Sequence, residues 1–414
     1  PDFGDQSLQP IEEQAMNVRG AFSLFDEDAA EAAAVYVQST LGPAAKCLVY
    51  GTSIDAYAAM EGLLTRGVPP SSIVLVTPPP GPHDEEVFAD PKIASKVAAK
   101  LDSMGIHKVD GMRLVGLEGD DNGCLSAVML ETDGGSVVSQ PCHLLLCSGA
   151  REVQRSTFEA LNGNSLVYDG RLVVDTNFCT NDKAIYAAGV ITKFSRRYRS
   201  KMSMGVVSGR ECGAKLAAAL LPVLDPLSAS TTDSDAAVPT FEKPRITGAL
   251  LPGGLHYVSI AQPVAGCETY VKIKAHKDFG RELSNDNGAE SYCSVRLDKY
   301  GVIRSISYLG LEAPEEQNWA CLIGLPESAL NNLAPRFDEG IVPDLPKFLS
   351  ENWATALYHD RFGEFLSALR SELETDDAFK AAMEKMRASP EYGAGKLSPV
   401  SFMNLLPEAK RNLV

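Results

Sequence analysis

The first half of the chain alternates short apolar runs with longer segments of helical periodicity. Cys47–Tyr50 and Ile73–Val76 are continuously apolar, as strands of a parallel sheet covered on both faces must be. Asp55–Arg66 carries the small and apolar residues of a helix, and Pro91–Met104 repeats its apolar positions at helical spacing. This alternation predicts a parallel sheet built from strand–helix–strand units.

Further elements are predicted on either side of this unit. Residues 1–24 are polar and are expected to be irregular, and Phe25–Leu41 has the composition of a capped helix. Two strands of a meander are predicted at Met112–Leu117 and Cys124–Glu131. Three further strands are predicted at His143–Cys147, Arg171–Asp175 and Ala184–Gly189. A helix is predicted at Gly205–Leu221, where Pro222 and Pro226 end it.

After a linker rich in Ser, Thr, Asp and Pro, the apolar period becomes that of half-buried strands. Strands are predicted at Leu255–Ile260, Thr269–Ala275, Tyr292–Leu297 and Val302–Leu309, and helices at Leu345–Tyr358, Arg361–Glu372 and Asp376–Met386. The chain is therefore expected to divide into a lead-in with a helix, an α/β domain, a linker, an α+β domain with a helical C-terminus, and a tail: 1–44, 45–226, 227–245, 246–390 and 391–414.

The stretch Lys46–Leu64 predicts a strand, a tight turn and a helix, which open a dinucleotide-binding βαβ unit. In the fingerprint G-x-G-x-x-G, the three glycines make the turn, let pyrophosphate approach the backbone and pack the helix on the strand. Gly51, Ser53 and Ala56 occupy these positions. Ser53 places a Cβ and a hydroxyl where the phosphate would lie, so the seat is expected to have less room.

Composition and charge narrow the classes of function. The 414 residues are 45% hydrophobic with a formal net charge of −16, which argues against general binding to nucleic acid or to an anionic membrane. Nine scattered cysteines suit a reducing, cytoplasmic compartment. Cys142 and Cys147 lie along a predicted strand five residues apart, so they are expected to face opposite sides and to be structural. None of the six histidines has metal-ligand spacing, and no metal is expected.

The order GTSIDAYAA, IVLV, HLLLCSGA, RLVVDTN and IYAAG resembles the pyridine-nucleotide-disulfide oxidoreductases. This resemblance implies a Rossmann-like FAD/NAD(P)-binding domain followed by an α+β domain like the reductase dimerisation domain. It also implies vestigial cofactor positions at Gly51, Ser53, Ala56, Gly149 and Gly189. An active reductase would carry an aspartate at the position of Val190. It would also carry an acidic or basic residue directly after the strand Ile73–Val76, where this chain has Thr77 followed by three prolines. No cofactor is therefore expected, although residual NAD or FAD binding stays open.

A narrower stretch, IYAAGVITKFSRRYRS with ECGAKLAAALLPVLDP, resembles the C-terminal region of a cilia- and flagella-associated protein of the calmodulin- and spoke-associated complex. The resemblance implies a non-enzymatic scaffold in the axoneme of a motile cilium or flagellum, at the radial spoke base. Its expected partners are other subunits of that complex, radial spoke proteins and the doublet microtubule, with a dimer through residues 246–390. The alternatives are an FAD/NAD-dependent oxidoreductase and a nucleotide-sensing regulatory subunit.

One basic cluster interrupts the acidic sequence. It consists of five cations, Lys193, Arg196, Arg197, Arg199 and Lys201, with Phe194 and Tyr198 among them. A solvated loop is the ordinary explanation of such a charge run. The alternative prediction is a docking site for an acidic partner surface, because the cluster follows Gly189, where a reductase would approach its flavin.

Overall fold

A computed structural model gives the structure of the protein. It describes residues 18–24, 27–42, 44–79, 86–132, 134–148, 155–200, 202–225, 237–264 and 270–351, with isolated residues between 371 and 385. Gly149, Lys201, most of the predicted linker and of the helices predicted after residue 351, and the tail 391–414 lie outside these ranges.

A five-stranded parallel sheet with helices forms the centre of the first half. The elements in order are β1 (Ala21–Ser23), α1 (Glu27–Ser39), β2 (Cys47–Gly51), α2 (Ile54–Thr65), β3 (Ile73–Thr77), α3 (Pro91–Met104), β4 (His107–Asp110), β5 (Met112–Gly119), β6 (Leu125–Thr132), β7 (Val137–Pro141) and β8 (Leu144–Ser148). The sheet order is β1–β8–β2–β3–β4, and β5–β6–β7 form a separate antiparallel meander. The predicted parallel sheet is confirmed, but β1 lies within residues that were expected to be irregular.

The local sequence explains these elements directly. All five residues of β2 are buried, which is why its apolar run shows no alternation. Helix α3 begins at Pro91 because the Asp90 carboxylate accepts a hydrogen bond from the Lys92 amide. It ends where Gly105 takes a left-handed conformation. The limits Pro91–Met104 were predicted from the sequence and are confirmed.

A small lobe follows, built from α4 (Arg155–Gly163), β9 (Leu172–Val174), β10 (Thr192–Phe194) and α5 (Gly209–Leu224). Strands β9 and β10 pair in parallel. The strand predicted at Ala184–Gly189 was wrong: these residues form turns and a single bridge from Cys179 to Tyr186, and the strand comes after the glycine. Pro222 does not stop α5, because in the last turn its missing N–H removes only one hydrogen bond.

An antiparallel sheet and short helices form the second half. The elements are β11 (Arg245–Leu251), β12 (Leu255–Ala261), α6 (Tyr270–Lys274), β13 (Phe279–Asp286), β14 (Tyr292–Asp298), β15 (Ile303–Gly310), α7 (Glu316–Leu322), α8 (Leu333–Asp338) and α9 (Leu345–Leu349). The sheet order is β11–β12–β15–β14–β13. The strand predicted at Thr269–Ala275 was wrong, since Tyr270–Lys274 is helical. Strands β11 and β13 were not predicted.

The two halves share one hydrophobic core. Leu251, Leu255 and Tyr257 of the antiparallel sheet belong to the same buried cluster as residues of β2, α2 and α3. At the centre of the contact, the Asp90 carboxylate is buried and accepts hydrogen bonds from Tyr292 Oη at 2.9 Å and from Ser294 Oγ at 3.3 Å. The antiparallel sheet therefore completes the core of the α/β half.

Candidate functional site

Gly51 forms the turn at the carboxyl end of β2, where a dinucleotide-binding domain would hold its ligand. Its φ is +149°, and it lies opposite Ser148, the last residue of β8. A Cβ built on Gly51 would lie 1.8 Å from the Ser148 carbonyl oxygen, far inside any real contact. Only glycine fits this position. The first glycine of the fingerprint is thus required by the neighbouring strand, independently of any ligand.

Ser53 occupies the position of the second glycine and is also the residue that precedes helix α2. An N-cap serine ordinarily accepts a hydrogen bond from an amide of the first helical turn. Here the Ser53 side chain makes no such bond. Its hydroxyl instead forms a hydrogen bond with the Ser148 hydroxyl, which joins the turn to the end of β8. A pyrophosphate can approach the backbone only if this position has no side chain. Here the position carries a serine whose hydroxyl is hydrogen-bonded across the turn.

The start of helix α2 adds to this arrangement. Ala56 is fully buried against the sheet, as expected of the residue at the third glycine position. Asp55 places a carboxylate in the first helical turn. A negative charge there takes advantage of the positive end of the helix dipole and repels a second anion. The residues of this seat do not fit a dinucleotide pyrophosphate.

The end of β3 holds a polar pair that sequence reasoning missed. Thr77 Oγ1 donates a hydrogen bond to Asp110 Oδ1 at 2.5 Å, and Lys108 Nζ lies 2.8 Å from the same oxygen. Partial burial alone would raise the pKa of Asp110, but the hydrogen bonds from Lys108 and Thr77 outweigh it and the pKa is lowered. Strand β4 thus supplies an acid, Asp110, at this edge of the sheet. Its carboxylate is already hydrogen-bonded to Thr77 and paired with Lys108.

Gly189 marks the position at which the reductase resemblance predicts the flavin. Its φ is +91°, and Val190 beyond it is 53% exposed. The Arg171 guanidinium donates a hydrogen bond to the Val190 carbonyl oxygen. A hydrophobic side chain therefore faces solvent where an aspartate would contact a ribityl chain. Gly149, another of the predicted cofactor positions, lies outside the described residues.

Neither Cys142 nor Cys147 is in a disulfide, and the prediction that they face opposite sides was wrong. Strand β8 begins only at Leu144, so the two-residue alternation does not relate them, and both contact the same hydrophobic cluster. Burial raises the pKa of the Cys142 thiol to about 12, which keeps it protonated and unreactive at neutral pH. Within the described residues there is also no group of three His, Cys, Asp or Glu side chains suited to a metal ion.

The basic cluster lies partly on β10 and partly on a 3₁₀ turn over Arg196–Tyr198. Lys193 Nζ and Arg196 Nη2 each lie 2.7 Å from Asp169 Oδ2. Asp169 belongs to the turn that precedes β9, and it bridges two of the five predicted cations. The hydrogen bond from Lys193 holds the pKa of Asp169 below its usual range despite slight burial.

The other cations of the cluster are placed differently. The Arg197 guanidinium stacks 4.6 Å from the centre of the Tyr198 ring. Arg199 has a φ of +51° and, within the described ranges, has no ion-pair partner. It contributes to a surface depression of about 420 Å³ together with Lys193, Phe194, Arg196, Ser200, Met202 and Ser203. The structure thus brings three cations of the predicted cluster, Lys193, Arg196 and Arg199, to one depression, while Lys201 lies outside the described residues.

Comparison with known proteins relates these features to a family. Residues 239–357 match the CFAP61 dimerisation domain. Cilia- and flagella-associated protein 61 of Tetrahymena thermophila is 28% identical over 444 residues, which covers 85% of this chain and 26% of that protein. The chain is thus similar in sequence to CFAP61 over most of its length. It spans about a quarter of the length of this relative.

Solved structures similar to this chain include reductases. The NAD-dependent persulfide reductase of A. fulgidus matches with a TM-score of 0.51 and 14% identity, over 87% of this chain and 61% of that one. An FAD-dependent pyridine nucleotide-disulphide oxidoreductase of Desulfovibrio vulgaris matches with a TM-score of 0.47 and 14% identity, over 83% of this chain and 77% of that one. The FAD/NAD(P) disulfide oxidoreductase fold, with its dimerisation-like second half, is confirmed. No helix in the described ranges is long and apolar enough to cross a membrane.

Proposed function

We propose that the protein is a non-enzymatic structural scaffold of the ciliary or flagellar axoneme that supports motility. Its place would be in the calmodulin- and spoke-associated complex at the radial spoke base, with radial spoke proteins and the doublet microtubule as neighbours. Homology to CFAP61 supports the ciliary role, and the match of residues 239–357 to a dimerisation domain supports self-association. The proposed functional division is an α/β domain over 45–226 and a dimerisation-like domain over 246–390.

The observation that carries the non-enzymatic part of the proposal is the hydrogen bond between Ser53 and Ser148. Catalysis by this fold depends on a bound dinucleotide, and binding begins with pyrophosphate on the backbone at the start of the helix. The Ser53 side chain blocks the approach of a pyrophosphate to the backbone. Gly51 still forms the turn, and Ala56 still packs helix α2 on the sheet. The strand–turn–helix unit is thus retained as a folding unit.

The first test measures cofactor content and nucleotide binding. Full-length protein from its native source should show no flavin absorbance, and NAD(H) at millimolar concentration should not shift the thermal midpoint of the chain. Ser53→Gly removes the side chain and its bond to Ser148, so a positive shift is expected in that variant because a bound ligand stabilises the folded state.

Thr52→Gly serves as the control, because it loosens the same turn and leaves Ser53 in place. Stoichiometric flavin in the native protein would favour the oxidoreductase alternative and reject the scaffold. A nucleotide-dependent shift in the natural sequence, without flavin, would favour the nucleotide-sensing regulator.

We further propose that Lys193, Arg196, Arg197, Arg199 and Lys201 dock an acidic partner in the axoneme. The support is that Lys193, Arg196 and Arg199 line one surface depression of an otherwise acidic protein. Charges at the rim of an interface act mainly on association rate and register, so several must be reversed together to give a clear effect.

Reversal of Arg196, Arg197 and Arg199 to glutamate is expected to reduce incorporation into axonemes at least about tenfold, since like charges across an interface cost several kcal/mol. Incorporation is measured by quantitative immunoblotting of axonemes from cells that lack the natural protein. The matched control reverses three exposed cations elsewhere, Arg66, Arg113 and Lys183, for the same change of net charge. Equal incorporation of both triple variants would remove the docking role.

A further inference from the structure

Asp169 already occupies the basic cluster as a carboxylate from the protein's own chain. We infer that Asp169 is an internal competitor, and that an acidic segment of a partner protein binds by displacing it from Lys193 and Arg196. This inference rests on the docking role proposed above and adds how the docking surface is regulated.

The geometry places Asp169 as a ligand would be placed. One of its oxygens, Oδ2, lies 2.7 Å from both Lys193 Nζ and Arg196 Nη2. Lys193 also donates a hydrogen bond to the Asp169 carbonyl oxygen. A single carboxylate oxygen thus accepts from an ammonium and a guanidinium that come from a different segment of the chain.

The exchange requires little free energy because the site faces water. The Arg196 side chain is 84% exposed and the Asp169 side chain is 44% exposed. Ion pairs in such surroundings contribute little to stability, so their loss is readily offset by equivalent pairs to a partner. Gly170, next to Asp169, has a φ of +70°, a backbone conformation that glycine adopts without steric strain.

The surface beside this pair offers further places for carboxylates. Arg199 lines the depression of about 420 Å³ together with the hydroxyl-bearing Ser200 and Ser203. Arg196 and Lys193 line it as well. A segment bound there would therefore contact the two cations that Asp169 pairs with, and also Arg199, which Asp169 does not contact. A run of Asp or Glu residues can satisfy these groups in succession, whereas a single carboxylate cannot.

The aromatic residues of the cluster argue for a protein segment over nucleic acid. Binding of single strands uses aromatic rings on which bases can stack. Phe194 is buried in the core of the small lobe, and the Tyr198 ring is already covered by Arg197. The net charge of −16 also disfavours a long polyanion, while a short acidic segment meets only the local positive surface.

Two variants test the competition in the purified chain of 414 residues. The probe is a fluorescein-labelled polyglutamate peptide, and its binding is measured by fluorescence anisotropy at low and at physiological salt. Asp169→Asn keeps the shape of the side chain and removes its charge, and we expect it to bind the probe about two- to fivefold more tightly, the scale of one exposed ion pair. Asp169→Ala should behave alike. Asp121→Asn changes net charge equally on an exposed turn of the α/β half and should bind as the natural chain does.

Arg199→Ala, which keeps Asp169, separates the possible results. If Arg199→Ala weakens binding while both Asp169 variants leave it unchanged, the docking role stands and the internal competitor is rejected. If no variant and no natural chain binds the probe, the docking role itself fails. If Asp121→Asn tightened binding of the peptide as much as Asp169→Asn does, the effect would be one of general charge and the competition would be rejected. Tighter binding of a single-stranded oligonucleotide of the same length than of the peptide would reject it as well.

Discussion

Gly51→Ala is expected to prevent the parallel sheet from reaching its stable form. The added Cβ would meet the Ser148 carbonyl oxygen at 1.8 Å, and the obstacle is the backbone of a central strand. Strands β2 and β8 would have to separate where they pair, and both are buried in the sheet. We expect a loss of at least about 4 kcal/mol, at the upper end of the range for single substitutions, and mostly insoluble protein.

Gly105→Ala is the matched control for this experiment. Gly105 also has a positive φ, +78°, but a Cβ there would meet no atom within 4 Å. The control therefore includes only the cost of the left-handed backbone, about 1 kcal/mol. Soluble yield and the thermal midpoint by circular dichroism are compared for the two variants. Similar midpoints would show that the close approach of Ser148 does not constrain the turn.

Asp90→Ala is expected to destabilise the contact between the two halves of the chain by at least about 3 kcal/mol. The substitution removes the cap of helix α3, worth about 1 kcal/mol. It also leaves the buried Tyr292 and Ser294 hydroxyls without their acceptor, which costs about 1 to 3 kcal/mol for each unsatisfied group. Burial and the Asp90 carboxylate raise the pKa of Tyr292, so its hydroxyl remains a donor throughout the physiological pH range.

This result is measured by urea unfolding, with Asp102→Ala as the control on the same helix. Asp102 is exposed, so its loss should change the midpoint little. Tyr292→Phe removes one of the donors and should give a smaller loss than Asp90→Ala, about 1 kcal/mol. If Asp90→Ala unfolded at the same urea midpoint as Asp102→Ala, the buried Asp90 carboxylate would not stabilise the contact between the halves.

The fold was predictable where local signals agreed with burial. Helix α3 has Pro91 after a capping acid, a clear apolar period and a terminal glycine, and its limits were predicted to the residue. Strands β2 and β3 were predictable because continuous apolar runs of four or five residues suit a sheet covered on both faces.

The errors arose where an apolar pattern did not decide the backbone. Ala184–Gly189 looks like a strand by composition, but Ala187 and Ala188 pack as loop residues against the core of the small lobe. Tyr270–Lys274 alternates apolar and basic residues and is helical nonetheless. Strand β13 lies at the edge of its sheet with Leu283 as its one buried residue, so it carries almost no apolar signal.

Only part of the candidate site could be found from the sequence. Ser53 was recognisable because it stands at a fixed position of a fingerprint. Its partner Ser148 and the acid Asp110 come from other strands and have no motif of their own. Asp169 is separated from Lys193 by a turn and a strand, so its ion pairs depend on tertiary structure that spacing does not reveal.

The shared core bears on how force passes through the molecule. Leu251, Leu255 and Tyr257 belong to the region matched to a dimerisation domain, yet they pack in one cluster with β2 and α3 of the parallel sheet. A fragment cut at residue 239 would expose these side chains to water, and it would also uncover the residues of β2 and α3 that pack with them. Under the axonemal role proposed above, a load applied at the antiparallel sheet would be transmitted to the α/β half through close-packed side chains and the Asp90 hydrogen bonds. The contact between the two halves thus combines a packed hydrophobic cluster with buried hydrogen bonds.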